Sequence, residues 1–295
     1  MRNYLKAYAF HGVLASPYSD KDALGNCRFC EDDGHFSINI NDGRYRCLKC
    51  ERRGNLYTFL QTLQTQLEET TTTKQYRMLS KDRGISPLTL KKAGLAWDPL
   101  EDTWVLPVVT KIVSRDSVET KYSITNLKRL VTNKGKQKLF GTPTCKANIY
   151  EPIRLDQSTQ VKDVYLCEGE WDTLALLDIK DSIPALVKSR IVGLPGACSF
   201  TETLNDLPRV PFIWLGDHDH AGRSGSRLFS RKMKSWNRND FKILNWEDYL
   251  PEELDDNLGQ DDERTRTPIG YDIRDLVNSG LSPEAVWSYL RKNQA

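Results

Sequence analysis

No stretch of the 295 residues approaches the roughly 18 consecutive apolar positions of a membrane-spanning helix, so no membrane partner is expected. The opening segment, MRNYLKAYAFHGVLASPYSD, lacks the unbroken apolar core of a secretory signal; Lys6 and His11 interrupt it, and it reads as a short structured arm. A P-loop is missing too: Gly135-Lys136 runs on into Gln137, so no helicase motor is expected. The seven cysteines are odd in number, and four of them stand in two close pairs. That argues against a secreted disulfide framework and for a reducing, cytoplasmic setting with a metal site. No internal repeat is present. Nor does one charge dominate, the formal net charge being +2.

What is present suffices for packed cores. Hydrophobic residues make up 39% and charged residues 28%, with seven Trp and twelve Tyr, which excludes whole-chain disorder. The length fits about two domains of roughly 100–200 residues. The near-neutral balance conceals two opposed segments. From Thr120 to Tyr150 there is no acid but seven cations: Lys121, Lys128, Arg129, Lys134, Lys136, Lys138 and Lys146. From Trp246 to Glu263 there are nine acids and no cation.

The pattern divides the chain into a cysteine-bearing module (1–62), a Gln- and Thr-rich linker (63–76), a basic mixed α+β module (77–160), an alternating strand–helix module (161–280) and a last helix (281–295). The alternating module offers strands VYLC (164–167), RIVG (190–193), PFIWLG (211–216) and FKILNW (241–246). Helices near 171–180 and 221–236 lie between them, which predicts a parallel α/β sheet. Ser86-Pro87 and Ser282-Pro283 are helix starts, with serine as cap and proline in the first turn. Trp97, Trp104 and Trp171 are expected in cores.

Cys27-x-x-Cys30 and Cys47-x-x-Cys50 are separated by sixteen residues, the spacing of a structural zinc site built from two thiolate knuckles. Between them Phe36, Ile38 and Ile40 alternate with polar residues, Asp42-Gly43 is a turn, and Tyr45 lies on a returning strand. The expectation is a zinc ribbon, a hairpin that needs one Zn2+ to fold. Four thiolates leave no open position for catalysis. His35 is expected as a surface polar group or a nucleic-acid contact. A capping Asn55 then opens a helix with Leu56, Phe59, Leu60 and Leu63 on its apolar face.

The strongest chemical signal is acidic. VYLC runs into Glu168-Gly169-Glu170-Trp171-Asp172, and PFIWLG into Asp217-His218-Asp219-His220-Ala221-Gly222; Asp272 and Asp275 follow later. Ligands of an open α/β sheet bind at the carboxyl ends of its strands. Carboxylates gathered there repel one another unless a divalent cation neutralises them, and oxygen ligands select Mg2+ or Mn2+. With a phosphate substrate this becomes metal-assisted phosphoryl transfer. Asp172 reads equally as a ligand or as a dipole partner in the first helical turn.

The order EGxxD then DxDxAG, each after a strand, resembles the TOPRIM domain. Together with the ribbon it resembles DnaG-type DNA primases over nearly the whole chain. The four-cysteine ribbon is most similar to the primase half of phage primase–helicases. Looser matches are Arg83-Gly84-Ile85-Ser86, the LFG at 139–141, and Ile149-Tyr150. The resemblance implies a primase that makes short RNA primers on single-stranded DNA from ribonucleoside triphosphates. It acts in a primosome with a separate replicative helicase, in the cytoplasm of a cell or of a phage host. It implies catalysis by Glu168, Asp217 and Asp219, with Asp272 as a further metal ligand. Residues 77–160 become the N-terminal basic subdomain of the catalytic core. There Lys128 and Arg129 are expected on triphosphate, Lys134, Lys136 and Lys138 on template phosphate, and Lys121 nearby. Arg223, Arg227 and Arg231, at i, i+4 and i+8, form a second stripe. It reaches phosphates, Arg223 foremost, or pairs with the acidic 247–263 segment. Two rivals share the TOPRIM motif: a RecR-like mediator of recombination, which binds DNA without catalysis, and a TOPRIM nuclease.

Overall fold

A short helix, α1 (Tyr4–Ala9), precedes five small antiparallel strands: β1 (Ala15–Pro17), β2 (Asp22–Gly25), β3 (Phe36–Asn39), β4 (Tyr45–Cys47) and β5 (Arg53–Gly54), paired in sequence order. The chain is seen here as a computed structural model that describes residues 4–113, 120–133, 135–152, 160–196, 199–200, 204, 207–248, 254 and 266–295. It divides into two units, one of Met1–Tyr76 with Lys91–Ala147, the other of Arg77–Leu90 with Asn148–Ala295.

In the first unit β3 and β4 turn through Asp42-Gly43 as the sequence predicts. Gly43 has φ 74°, and a Cβ there would lie 2.3 Å from the Tyr4 ring, so only glycine closes this turn. Asn55 caps α2 (Leu56–Thr70) by accepting from the Thr58 amide. Leu56, Phe59, Leu60, Leu63 and Leu67 are its buried stripe. Residues 63–76, expected as a linker, are therefore helical, and the threonines mark a junction between helices. Thr71 ends α2, while Thr72 and Gln75 exchange bonds in the manner of a capping box at the start of α3 (Thr73–Arg83). The reason is tertiary. Buried Gln64 donates to the Gly94 carbonyl at 2.5 Å and to Glu68 at 2.8 Å, partners that local composition does not reveal.

After α4 (Pro87–Lys92), capped by Ser86, a second antiparallel sheet forms from β6 (Ala96–Asp98), β7 (Thr103–Val113), β8 (Thr120–Asn133) and β9 (Lys136–Gly141), again in sequence order. The basic stretch is thus mostly strand. Phe36, Tyr45, Phe59 and Tyr8 pack edge-on or stacked in a core that also takes in Val105, Ile124 and Leu127 of this sheet. Ribbon, α2 and basic sheet bury one apolar interior, where the sequence reading separated them.

The second unit carries the predicted parallel sheet: β10 (Asp163–Cys167), β11 (Ser189–Gly193), β12 (Phe212–Leu215) and β13 (Phe241–Ile243), in the order β11-β10-β12-β13. Helix α5 (Glu170–Ile179) follows β10 and α6 (His220–Ser235) follows β12. Val164, Leu166, Val192, Phe212, Trp214, Phe229 and Met233 form the core. α7 (Ile273–Val277) and α8 (Pro283–Lys292), the latter capped by Ser282, complete the unit. The last residue exchanges backbone bonds with Ile243, so the C-terminal helix belongs to this unit. Among the described residues no helix is long and apolar enough to cross a membrane.

Candidate metal centres

The two cysteine knuckles have the same local shape. Glu31 and Glu51, each directly after the second cysteine of its pair, take φ of 57° and 59°. These left-handed residues turn the chain so that Cys27 accepts from the Glu31 amide, and the Cys47 amide reaches the Arg52 carbonyl. The four Sγ atoms all lie within 4.8 Å of one another, and two pairs, Cys27–Cys50 and Cys30–Cys47, stand at 3.8 Å. A tetrahedron with metal–sulfur bonds of about 2.3 Å has sulfur–sulfur edges of about 3.8 Å. The site is shaped for one zinc ion. His35 lies outside it, exposed and bonded to Asp32, as the sequence predicts.

The carboxylates of the second unit gather at a place fixed by topology. From β10 the chain goes to one side for β11, then crosses to the other side of β10 for β12. The point where strand order reverses lies between β10 and β12, and such points are the ligand crevices of open parallel sheets. Glu168 directly follows β10, and Asp217 stands two residues beyond β12. The Asp217 amide donates to Glu168 Oε2 at 3.1 Å. Asp219 caps α6 by accepting from the Gly222 amide at 2.7 Å. The glycine of this motif has a steric cause: a Cβ at 222 would sit 2.0 Å from the Asp217 carbonyl oxygen. His218 donates its amide to the Tyr271 carbonyl and accepts from the Gly270 amide, both at 2.8 Å, and so draws Asp272 to the crevice from far along the chain.

Asp272 is more committed than its predicted role implies. Its Oδ1 caps α7 through the Asp275 amide at 2.8 Å, and its Oδ2 faces the Arg274 guanidinium at 3.3 Å. A metal contact at Asp272 competes with Arg274. Asp172, which the sequence reads equally as ligand or dipole partner, is buried in the first turn of α5 and accepts weakly from the Arg274 amide at 3.4 Å. The second acid of EGxxD was the signal for it. Arg274 carried none, because its partners lie on distant segments.

Burial, then the charges of Asp172, Glu168, Asp272 and Asp219, push the Asp217 carboxyl up to about 9. Burial and then Asp272 push Asp172 up to about 8, against the opposing pull of Arg274. Glu168 and Asp272 are raised as well, burial leading in both. Asp217 Oδ1 is buried without a hydrogen-bond partner among the described residues. An all-oxygen, acid-rich crevice with an orphaned carboxylate oxygen fits a hard divalent cation. Among the described residues only the cysteines bring three or more ligand atoms within 4.8 Å. The wider carboxylate spacing suits an ion that keeps several waters.

These shifts have a definite sign. Unfolded carboxyls titrate near about 3.9, so the raised groups stabilise the fold fully below about pH 4. That contribution is lost as pH rises through about 8 for Asp172 and about 9 for Asp217. Metal-free protein is expected to lose resistance to urea from pH 5 to 9, and Asp217→Asn to lose less. Added Mn2+ should flatten the fall in the wild type. Parallel urea profiles for wild type and variant would contradict this account.

The basic residues separate into two sets. Arg129 is bound at both terminal nitrogens, to Glu101 at 2.6 Å and to the Phe10 carbonyl, and its guanidinium covers the Phe10 ring. Lys128 is buried. Lys128 thus lies on the inward side of β8, while Arg129, its neighbour on the opposite side, is part-buried and held by a partner on a distant loop. Lys136, Lys138 and Lys146 are exposed, as is Arg223 on α6. Lys134 lies outside the described residues, and Lys121 is placed only as a backbone position on β8. Of the tryptophans, Trp104 is buried, while Trp171 lies under the Arg83 guanidinium.

The fold is that of DnaG-type primase cores. A DnaG primase catalytic domain bound to single-stranded DNA is similar with a TM-score of 0.55 at 13% identity, over 80% of this chain and 78% of that one. A DNA primase domain from Pseudomonas aeruginosa gives 0.55 at 16%, over 81% and 78%. The E. coli primase catalytic core gives 0.53 at 14%, over 81% and 80%. No protein-family model matches the chain, and no curated protein matches it.

Proposed function

We propose that the chain is a DNA primase, a DNA-templated RNA polymerase that makes short primers on single-stranded DNA. The observation that carries this reading is the meeting of Glu168 and Asp217 at the strand-order reversal of a primase-like sheet, with Asp217 Oδ1 buried and unpartnered. In this reading the second unit is a TOPRIM domain. Glu168, Asp217 and Asp219 would hold Mg2+ or Mn2+, with Asp272 joining when Arg274 yields. When bound, the ion supplies Lewis-acid stabilisation of the charge that develops on the triphosphate. The chain's own contribution is placement. Asp219, fixed as a helix cap, and Asp217, tied to Glu168, arrive in a preset arrangement, so little reorganisation remains at the moment of reaction.

The zinc ribbon would hold the template, and exposed Lys136, Lys138 and Lys146 would contact its phosphates, with Lys121 and Lys134 on the same stretch and Arg223 beside the metal site. Ribonucleoside triphosphates are the proposed substrates, a separate replicative helicase the partner, and the cytoplasm the setting. Incubation of the full chain with mixed single-stranded templates, all four ribonucleotides and Mg2+ or Mn2+ should yield short RNA. Tight DNA binding without any product would favour a recombination mediator, and cleavage of the template a nuclease.

A further inference from the structure

Helix α6 contains no acid among its sixteen residues, HAGRSGSRLFSRKMKS. Its buried side is Gly222, Gly225, Phe229 and Met233. The side turned to solvent carries His220, Arg223, Arg227, Arg231 and Lys234, all exposed, at successive steps of three, four, four and three residues. On a helix of 3.6 residues per turn these steps make a single line. From Arg223 to Lys234 it runs about 16 Å along the axis. Among the described residues, none of the five enters an ion pair; Arg227 donates only to the Ser224 hydroxyl, at 3.2 Å.

Such a line opposes the helix that bears it. Like charges at i and i+4 each destabilise a helix by a few tenths of a kcal/mol. Arg223 also stands in the first turn, at the positive end of the helix dipole. Of the four permanent cations only Arg223 has an acid at i±3 or i±4, the N-cap Asp219 four residues before it; Arg227, Arg231 and Lys234 have none. Phe229 and Met233 account for the buried side of α6, but nothing in the packing calls for arginine on the other. The charge is complementary to a polyanion. The line begins one turn beyond Asp219, a carboxylate of the metal site, and runs away from it. It is longer than a single triphosphate, so a nucleotide in the site does not account for Arg231 or Lys234.

We infer that the solvent face of α6 is a track for the phosphate backbone of a nucleic-acid strand leading to or from the carboxylate site. This deepens the polymerase reading and rests on it for the identity of the polyanion. Four permanent cations at one-turn intervals meet a repeating anion without base contacts, so the track contributes affinity and salt dependence and not sequence preference.

The test uses the full chain with Arg227→Gln/Arg231→Gln. Binding of a fluorescent oligo-dT strand is titrated against salt, with melting temperature and Mn2+ affinity measured on the same samples. Two lost phosphate contacts should lower the log–log salt slope by about 1.4. Melting temperature should hold or rise, because repulsion is removed, and Mn2+ affinity should hold. An unchanged slope overturns the inference. If the melting temperature also falls, the arginines pair with acids of this chain, the 247–263 segment foremost. Wild-type protein that does not bind the strand overturns it as well. A reduced slope in the variant of a chain that makes no primers keeps the track and removes the polymerase. Primers with an unchanged slope do the reverse.

Discussion

Replacing Glu168 by Gln or Asp217 by Asn should lower the rate of primer synthesis by about a thousandfold or more, while single-stranded DNA binding changes little. A bound divalent ion supplies several kcal/mol of transition-state stabilisation, and each 1.36 kcal/mol is tenfold in rate. Loss of about 4 kcal/mol therefore removes three decades. Template binding should survive because Lys136, Lys138 and Lys146 belong to the other unit. Asp217→Asn is the more telling change. Its carboxyl is pushed up to about 9 by burial and neighbouring acids, so a neutral amide suits the metal-free fold better than the ionised acid does. The variant should be inactive and yet no less stable at pH 8 without metal, an exchange of function for stability. The checks are primer yield under single-turnover conditions, Mn2+ calorimetry and a melt. Near-normal primer synthesis with undiminished Mn2+ binding would dismiss the carboxylate site.

Removal of zinc should unfold far more than the ribbon. The purified chain should contain about one zinc per molecule. Structural zinc in small finger peptides binds with about 10–16 kcal/mol, as much as a whole domain's stability of about 5–15 kcal/mol. Cys27 and Cys47 are fully buried in the same core as Val105, Ile124 and Leu127 of the basic sheet. Arg28, inside the first knuckle, is ion-paired with Asp98 of β6 and donates to the His11 carbonyl at 3.1 Å. His11 lies buried beside them, kept neutral down to about 3 by burial and by the charges of Arg129 and Arg28, and its ring meets Thr142 at 2.8 Å. Cys47→Ser, or chelation, should therefore expose amides of β7 and β8 to hydrogen exchange along with residues 20–60, while β10 and β12 stay protected. Exchange confined to residues 20–60 would show the ribbon to be energetically separate, and full zinc occupancy in Cys47→Ser would end the four-thiolate assignment.

How much of this was legible in the sequence depended on whether the cause was local. The ribbon was readable because two C-x-x-C knuckles at that distance have few other uses. Strands β10 and β12 and their trailing acids were readable because apolar runs ending in carboxylates are a pattern of adjacent residues. The helix over 63–76 was missed because the partners that justify it, Gly94 for Gln64 and the Leu95 carbonyl for Tyr76, lie distant in sequence. The Arg129–Glu101 pair was hidden for the same reason: the counter-ion stands on a different loop. Charge along the chain reports what is available, and only the fold reports what has already been used. Asp272 sits between these cases. Its place by the other acids follows from the motif, but the Arg274 that contends for it is invisible until α7 is built.

A second clasp lies just before the backbone bonds that bring Asp272 to the crevice. The Thr267 amide meets the Asp248 carbonyl at 3.0 Å, and its hydroxyl meets the Glu247 carbonyl at 2.8 Å. His218 then holds residues 270 and 271. Residues 247–248 and 267 are thereby stapled together just before the chain reaches Asp272, so the position of Asp272 is set by bonds close to it in the chain. Thr267→Val, which removes the hydroxyl clasp on the Glu247 carbonyl, is therefore a change whose effect would be felt at Asp272, five residues further on.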